Sequence, residues 1–73
     1  MADIEIKAEI TGTVWKIVTT PGAAVAEGDE LMILESMKME IPVIAIDDGT
    51  VKEILVKEEA SITEGQTLVI LEA

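Results

Sequence analysis

The chain has 73 residues, enough for one thin-cored domain spanning 1–73; 49% are apolar, and with one Trp, no Phe and no Tyr that share is aliphatic. Without Cys, His or Arg it offers no disulfide, no zinc site built from thiolate or imidazole, and no nucleophile activated by histidine. Fifteen acidic residues against five basic ones give a net charge of −10, which repels nucleic acid and favours a soluble monomer.

From the N-terminus, Met-Ala-Asp-Ile-Glu lacks the basic and apolar regions of a signal peptide, and no later stretch nears the roughly 20 apolar residues of a membrane span; a cytoplasmic location is therefore expected. Ile4, Ile6, Ala8 and Ile10 alternate with Glu5, Lys7 and Glu9, the period of a half-buried strand that stops at Thr11-Gly12. Residues 13–19 are rich in Val, Ile and Thr and predict a second strand, closed by Pro21-Gly22 as a type II turn. Glu27-Gly28-Asp29 marks another turn, and strands are predicted over 30–36 and 39–46. Asp47-Asp48-Gly49 is a turn too short to be a calcium loop. Beyond it, Val51, Ile54 and Leu55 fall at helical spacing. The short segment is fenced by Gly49 and Gly65, and its first-half partner ends in Thr-Thr-Pro-Gly, so a strand is the expectation.

That partner exists because the chain is duplicated. Residues 12–36 and 49–73 align without a gap at an offset of 37, with 11 of 25 positions identical, among them Gly12/Gly49, Val14/Val51, Gly28/Gly65 and Leu34/Leu71. About eight short strands with regular turns, in two copies, predict an all-β sandwich or flattened barrel with a pseudo-two-fold axis, each half feeding both sheets. Ser36 then corresponds to Ala73, which places the next turn and the chain ends at opposite ends of the molecule. Gly22 corresponds to Glu59. Because a turn with positive φ there disfavours Glu by about 1 kcal/mol, the second copy is expected to turn differently.

At the join lies Glu35-Ser36-Met37-Lys38-Met39-Glu40. This run resembles the attachment motif of biotinyl domains, a Met-Lys-Met after a small residue. The similarity extends through Gly12, Val14, Ile17, Gly22, Val25, Gly28, Leu31 and Leu34 before the lysine and Ala45, Gly49 and Val51 after it, essentially the whole chain. The chain is similar in style to short stand-alone biotin/lipoyl attachment proteins and to the biotin carboxyl carrier domain of biotin-dependent carboxylases.

The resemblance implies two four-stranded antiparallel sheets of the biotinyl/lipoyl type, with Lys38 at a tight hairpin turn. It implies a non-catalytic carrier: biotin protein ligase joins biotin to the Lys38 ε-amine, a biotin carboxylase loads the ureido nitrogen, and a carboxyltransferase takes the carboxyl group to an acceptor. Met37 and Met39 would tune recognition by the carboxylase. Glu35 and Glu40 are ligase contacts or ordinary solubilising charges, and Ser36 meets a need for a small residue. Trp15 reads as a rim-packing aromatic, since its counterpart is Lys52, and Pro42 as an edge or bulge residue. No thumb-like insertion interrupts the first half. The rival reading is a lipoyl carrier modified on the same lysine, which usually has Asp-Lys-Ala where this chain has Met-Lys-Met; an unmodified interaction module is a third. The acceptor substrate is not encoded in a carrier of this kind.

Overall fold

The computed structural model describes residues 2–73 and contains eight strands: β1 (Asp3–Lys7), β2 (Gly12–Ile17), β3 (Ala24–Val25), β4 (Glu30–Ser36), β5 (Met39–Ile44), β6 (Gly49–Ile54), β7 (Ser61–Ile62) and β8 (Thr67–Glu72). They form two four-stranded antiparallel sheets, β1-β8-β6-β3 and β5-β4-β2-β7. Advancing each strand by half the chain turns the first order into the second, so the pseudo-two-fold axis exchanges the sheets and each half contributes to both. The first predicted strand ends earlier than its alternation suggested, because at Ala8 the backbone leaves the ladder and exchanges hydrogen bonds with Gly65 and Gln66.

The symmetry reaches beyond the aligned sequence. Gly28 N–H donates to the Ala45 carbonyl and Gly65 N–H to the Ala8 carbonyl, at 2.9 and 2.8 Å. Asp48 Oδ1 accepts the Glu27 N–H as Thr11 Oγ1 accepts the Glu64 N–H. The buried core is accordingly a set of couples: Ile6/Val43, Ala8/Ala45, Val14/Val51, Leu31/Leu68, Met32/Val69 and Leu34/Leu71, with Ile62 in addition. Aliphatic side chains with few rotamers fill this narrow space between the sheets, and no buried polar side chain is left unpaired among the described residues.

The helical spacing of Val51 and Ile54 has a different cause. In β6 the register against β8 slips between Val51 and Glu53, so Lys52 and Glu53 both stand opposite Ile70. Such a bulge lets two successive residues face water before the next returns to the core, which stretches the inward spacing from two to three. β2 has the same bulge at Trp15-Lys16, opposite Ile33. Trp15 therefore stands 48% exposed on the outside of its sheet instead of packing at the rim.

The turn expected to differ between copies does not. Ala23 N–H donates to Thr20 O and Ala60 N–H to Lys57 O, both at 3.1 Å, and Glu59 takes φ 72° where Gly22 takes 91°. Tertiary contacts override the local preference. Glu59 N–H is bound by the Val14 carbonyl at 2.6 Å, the partner of Gly22 N–H on Val51, and the Glu58 carboxylate accepts the Ile17 N–H.

Candidate functional site

The consecutive strands β4 and β5 pair as a hairpin, in register from Met32/Val43 to Ser36/Met39, with a bulge between Glu30 and Met32 at its far end. Only Met37 and Lys38 lie between the last paired residues. Both have positive φ, 52° and 66°, which makes this a two-residue turn of the I′ kind. Its twist matches that of the flanking strands, but Asn and Gly suit it best; an L side chain in this region is disfavoured by roughly 1–2 kcal/mol per residue.

The turn pushes its side chains into water. Met37 is 92% and Met39 62% exposed, Lys38 is exposed, and among the described residues no hydrogen bond or ion pair engages the Lys38 ammonium. The base of the hairpin is firm by contrast. Ser36 Oγ donates to the Thr11 carbonyl at 3.1 Å, tying the turn to the start of β2. Beside it Gly12 approaches the Glu35 carbonyl so closely that a Cβ would stand 2.4 Å from the oxygen. Ser36 thus clasps as well as fits. Glu35 and Glu40 lie directly opposite each other across the two strands, a like-charge pair that keeps both carboxylates in solvent.

Pro42 sits in β5, an edge strand, where its missing N–H breaks no ladder. The chain ends occupy the position equivalent to the hairpin: Ala73 N–H donates to Ala2 O at 3.0 Å. From there β1 starts beside Glu72 and leads to Thr11, the residue that receives Ser36, so the hairpin and the chain ends lie at opposite ends of a body 36 Å long.

Chemically, the arrangement presents a primary amine on a four-carbon stem, unobstructed and anchored at its root. No group of three or more acidic, His or Cys side chains that could hold a metal occurs among the described residues. At the far end Lys52 makes an ion pair with Asp3 at 3.0 Å, and the hydrogen bond first, then the charge, raises its pKa above the usual lysine value. A groove of about 470 Å³ opens between the edges of β1 and β5, lined by Ile10, Ile41, Pro42, Ile44 and Ile46 among others. Sequence reading passed over that apolar edge; the signal was there in the unlike pairs Lys7/Ile44 and Glu9/Ile46 of the two halves.

A family model described as "Biotin-requiring enzyme" matches residues 5–71. The "Biotinylated protein TB7.3 homolog" of Mycolicibacterium smegmatis is 51% identical over 41 residues, covering 56% of this chain and 58% of that protein. The match thus spans a little over half the length of that relative. Among solved structures, the Kluyveromyces lactis urea carboxylase superposes with a TM-score of 0.93 and 32% identity over 99% of this chain and 6% of that one. The lipoyl domain of the 2-oxoglutarate dehydrogenase complex from Azotobacter vinelandii superposes with a TM-score of 0.81 and 30% identity over 96% of both chains.

Proposed function

Since this chain belongs to the biotin- and lipoyl-attachment family, we propose that its residues 1–73 act as one biotinyl carrier domain whose Lys38 is acylated by biotin protein ligase. The observation that carries the proposal is the hairpin tip: a free amine on a two-residue turn, between two methionines that water covers in place of the core. Exposure lets the amine enter a ligase site without unfolding, and the Ser36–Thr11 clasp keeps its starting point fixed.

Attachment forms an N–C amide bond between Nζ and the carboxyl carbon of biotin while one C–O bond of that carboxyl breaks; the oxygen leaves as water or on the group that activated the acid, and the ammonium gives up its protons. The tip loses its cation, and the net charge passes from −10 to −11, that is, −10 − 1. Once bound, biotin supplies a ureido nitrogen that accepts and releases a carboxyl group. What the chain contributes is a rigid mount: the hairpin limits where the arm begins and so raises its effective concentration at a docked enzyme's site. In this reading Met37 and Met39 give the partner carboxylase an apolar contact on each side of Lys38, Glu35 and Glu40 lend charge for the ligase, and Ser36 holds the turn. The partners are the ligase, a biotin carboxylase and a carboxyltransferase of the cytoplasm, and the carrier itself is a monomer with no catalytic group.

The full-length superposition with a lipoyl domain favours a second reading, acylation of the same lysine by lipoate. Intact-mass spectrometry after incubation with biotin ligase or lipoate ligase separates them. The expected result is a gain of one biotinyl group, absent in Lys38→Arg. A gain from lipoate ligase alone establishes the second reading, and no gain from either defeats both.

A further inference from the structure

The duplication supplies an internal control for surface chemistry, because each outward position of one sheet has a geometric equivalent on the other. On the sheet β1-β8-β6-β3 those positions hold Lys52, Glu5 and Lys7, all charged; Lys52 pairs with Asp3 at 3.0 Å and Thr67 Oγ1 donates to Glu5 at 2.8 Å. On the sheet β5-β4-β2-β7 the equivalents are Trp15, Pro42 and Ile44. The fold accepts charges at all three positions, so their apolar character on one side answers to something other than folding.

These residues form a continuous strip. Ile33 is in register with Lys16 of β2 on one side and Pro42 of β5 on the other; Trp15 stands beside Lys16 in the bulge, and Ile44 is the next outward residue after Pro42. Trp15 is 48% and Ile44 45% exposed. Around the β5 edge the strip continues through Ile46, 61% exposed where the other half has Glu9, into the groove beneath. Exposed apolar side chains lined up in this way on a chain of net charge −10 are the kind of surface that partners cover.

We infer that this outer face, Trp15-Ile33-Pro42-Ile44, docks the carboxylase component that works on Lys38, through a surface with an apolar centre and a rim of Lys and Arg. The partner's identity rests on the carrier reading above. The rim follows from charge: on the outer sheet face Glu30, Glu35 and Glu40 border the strip against Lys16, and the groove it runs into is edged by Glu5 and Glu9 against Lys7. A second copy would set those carboxylates against their own kind, and an anionic membrane meets the same repulsion. The distance fits as well. Ile44 lies about 17 Å along β5 from Met39 at about 3.3 Å per residue, beyond the reach of a lysine stem, so a protein seated here leaves the tip free to swing.

The test exchanges the strip for the other half's residues, Trp15→Lys, Pro42→Glu and Ile44→Lys, in one biotinylated protein used as substrate of the host's biotin carboxylase. The KM for the carrier should rise about tenfold or more at unchanged kcat, while the rate of biotin attachment stays at the wild-type value. Thermal melting by circular dichroism reports whether the triple variant is folded, and Ile44→Lys alone replaces it if it is not. An unchanged KM in a folded variant overturns the inference. So does an equal loss with the ligase, which assigns the effect to the tip, or a wild-type dimer in sedimentation that the variant dissolves, which assigns the face to a second copy. Failure of the wild type to be biotinylated defeats the carrier reading itself, and with it this partner, before any variant is made.

Discussion

Met37 is the residue at which stability and use pull apart. With φ 52° at the first turn position and 92% exposure, it neither packs in the core nor suits the backbone it occupies. Met37→Asn places there the residue that I′ turns prefer. The expected gain is roughly 0.5–1 kcal/mol, read as a rise of several degrees in the melting temperature of a domain this size. The same variant should still be biotinylated yet serve the carboxylase less well, because the proposed function gives Met37 an apolar contact with that partner. An unchanged or lower melting temperature would mean that Met37 stabilises the tip by a contact of its own. The place of Lys38 at a tight hairpin tip was legible in the sequence because the motif that suggests it is local and specific. The positive φ of Met37 and Glu59 was not, since only the register of β4 with β5 and the Val14–Glu59 hydrogen bond impose it.

Among the strands, the bulges carry what a period-two reading misses. Val14 and Ile17 face inward three apart because Trp15 and Lys16 share one partner, a pattern that looks helical until the ladder is seen. Boundaries over 30–36 were readable, since Glu30–Ser36 pairs with β5 at both its ends and with β2 over Met32–Glu35, whereas β1 and β5 stop at Lys7 and Ile44, short of the predicted 10 and 46, where backbone bonds of Ala8 to Gly65 and Gln66 and of Ala45 to Gly28 and Asp29 take over. Two glycines separate steric need from conformational need. Gly12 has no room, its Cβ position lying 2.4 Å from the Glu35 carbonyl, while Gly22 has open space and φ +91°. Gly12→Ala should therefore lower stability by about 2–3 kcal/mol through displacement of β2 from the hairpin root. Gly22→Ala should lower it by only about 1 kcal/mol, as Glu59 in the equivalent turn foreshadows. Urea unfolding of both variants measures the order; equal effects would show that the root of the hairpin yields more easily than its geometry indicates.

The sequence alignment at offset 37 announced the symmetry but not its full extent, because β1 and β5 diverge on their wet faces while keeping Ile6/Val43 and Ala8/Ala45 inside. With them included, the molecule is two equivalent hairpin positions, one closed by Met37-Lys38 and one open, where Ala73 meets Ala2. Glu72-Ala73 stands where Glu35-Ser36 stands, and Gly49 crowds the Glu72 carbonyl as Gly12 crowds that of Glu35. Joining Ala73 to Ala2 through Met-Lys, and reopening the chain at the exposed Glu27-Gly28 turn, should close the second hairpin and leave the fold intact, since new ends at a loop tip are well tolerated. Circular dichroism should show the β-sheet signature and a cooperative melt. Biotin ligase should then add two biotinyl groups by intact mass, one at each end of the body. Addition of a single group to a folded permutant would mean that the ligase reads residues found only at the native end, with Glu40 and Met39, replaced by Asp3 and Ala2 at the other, as the first to exchange.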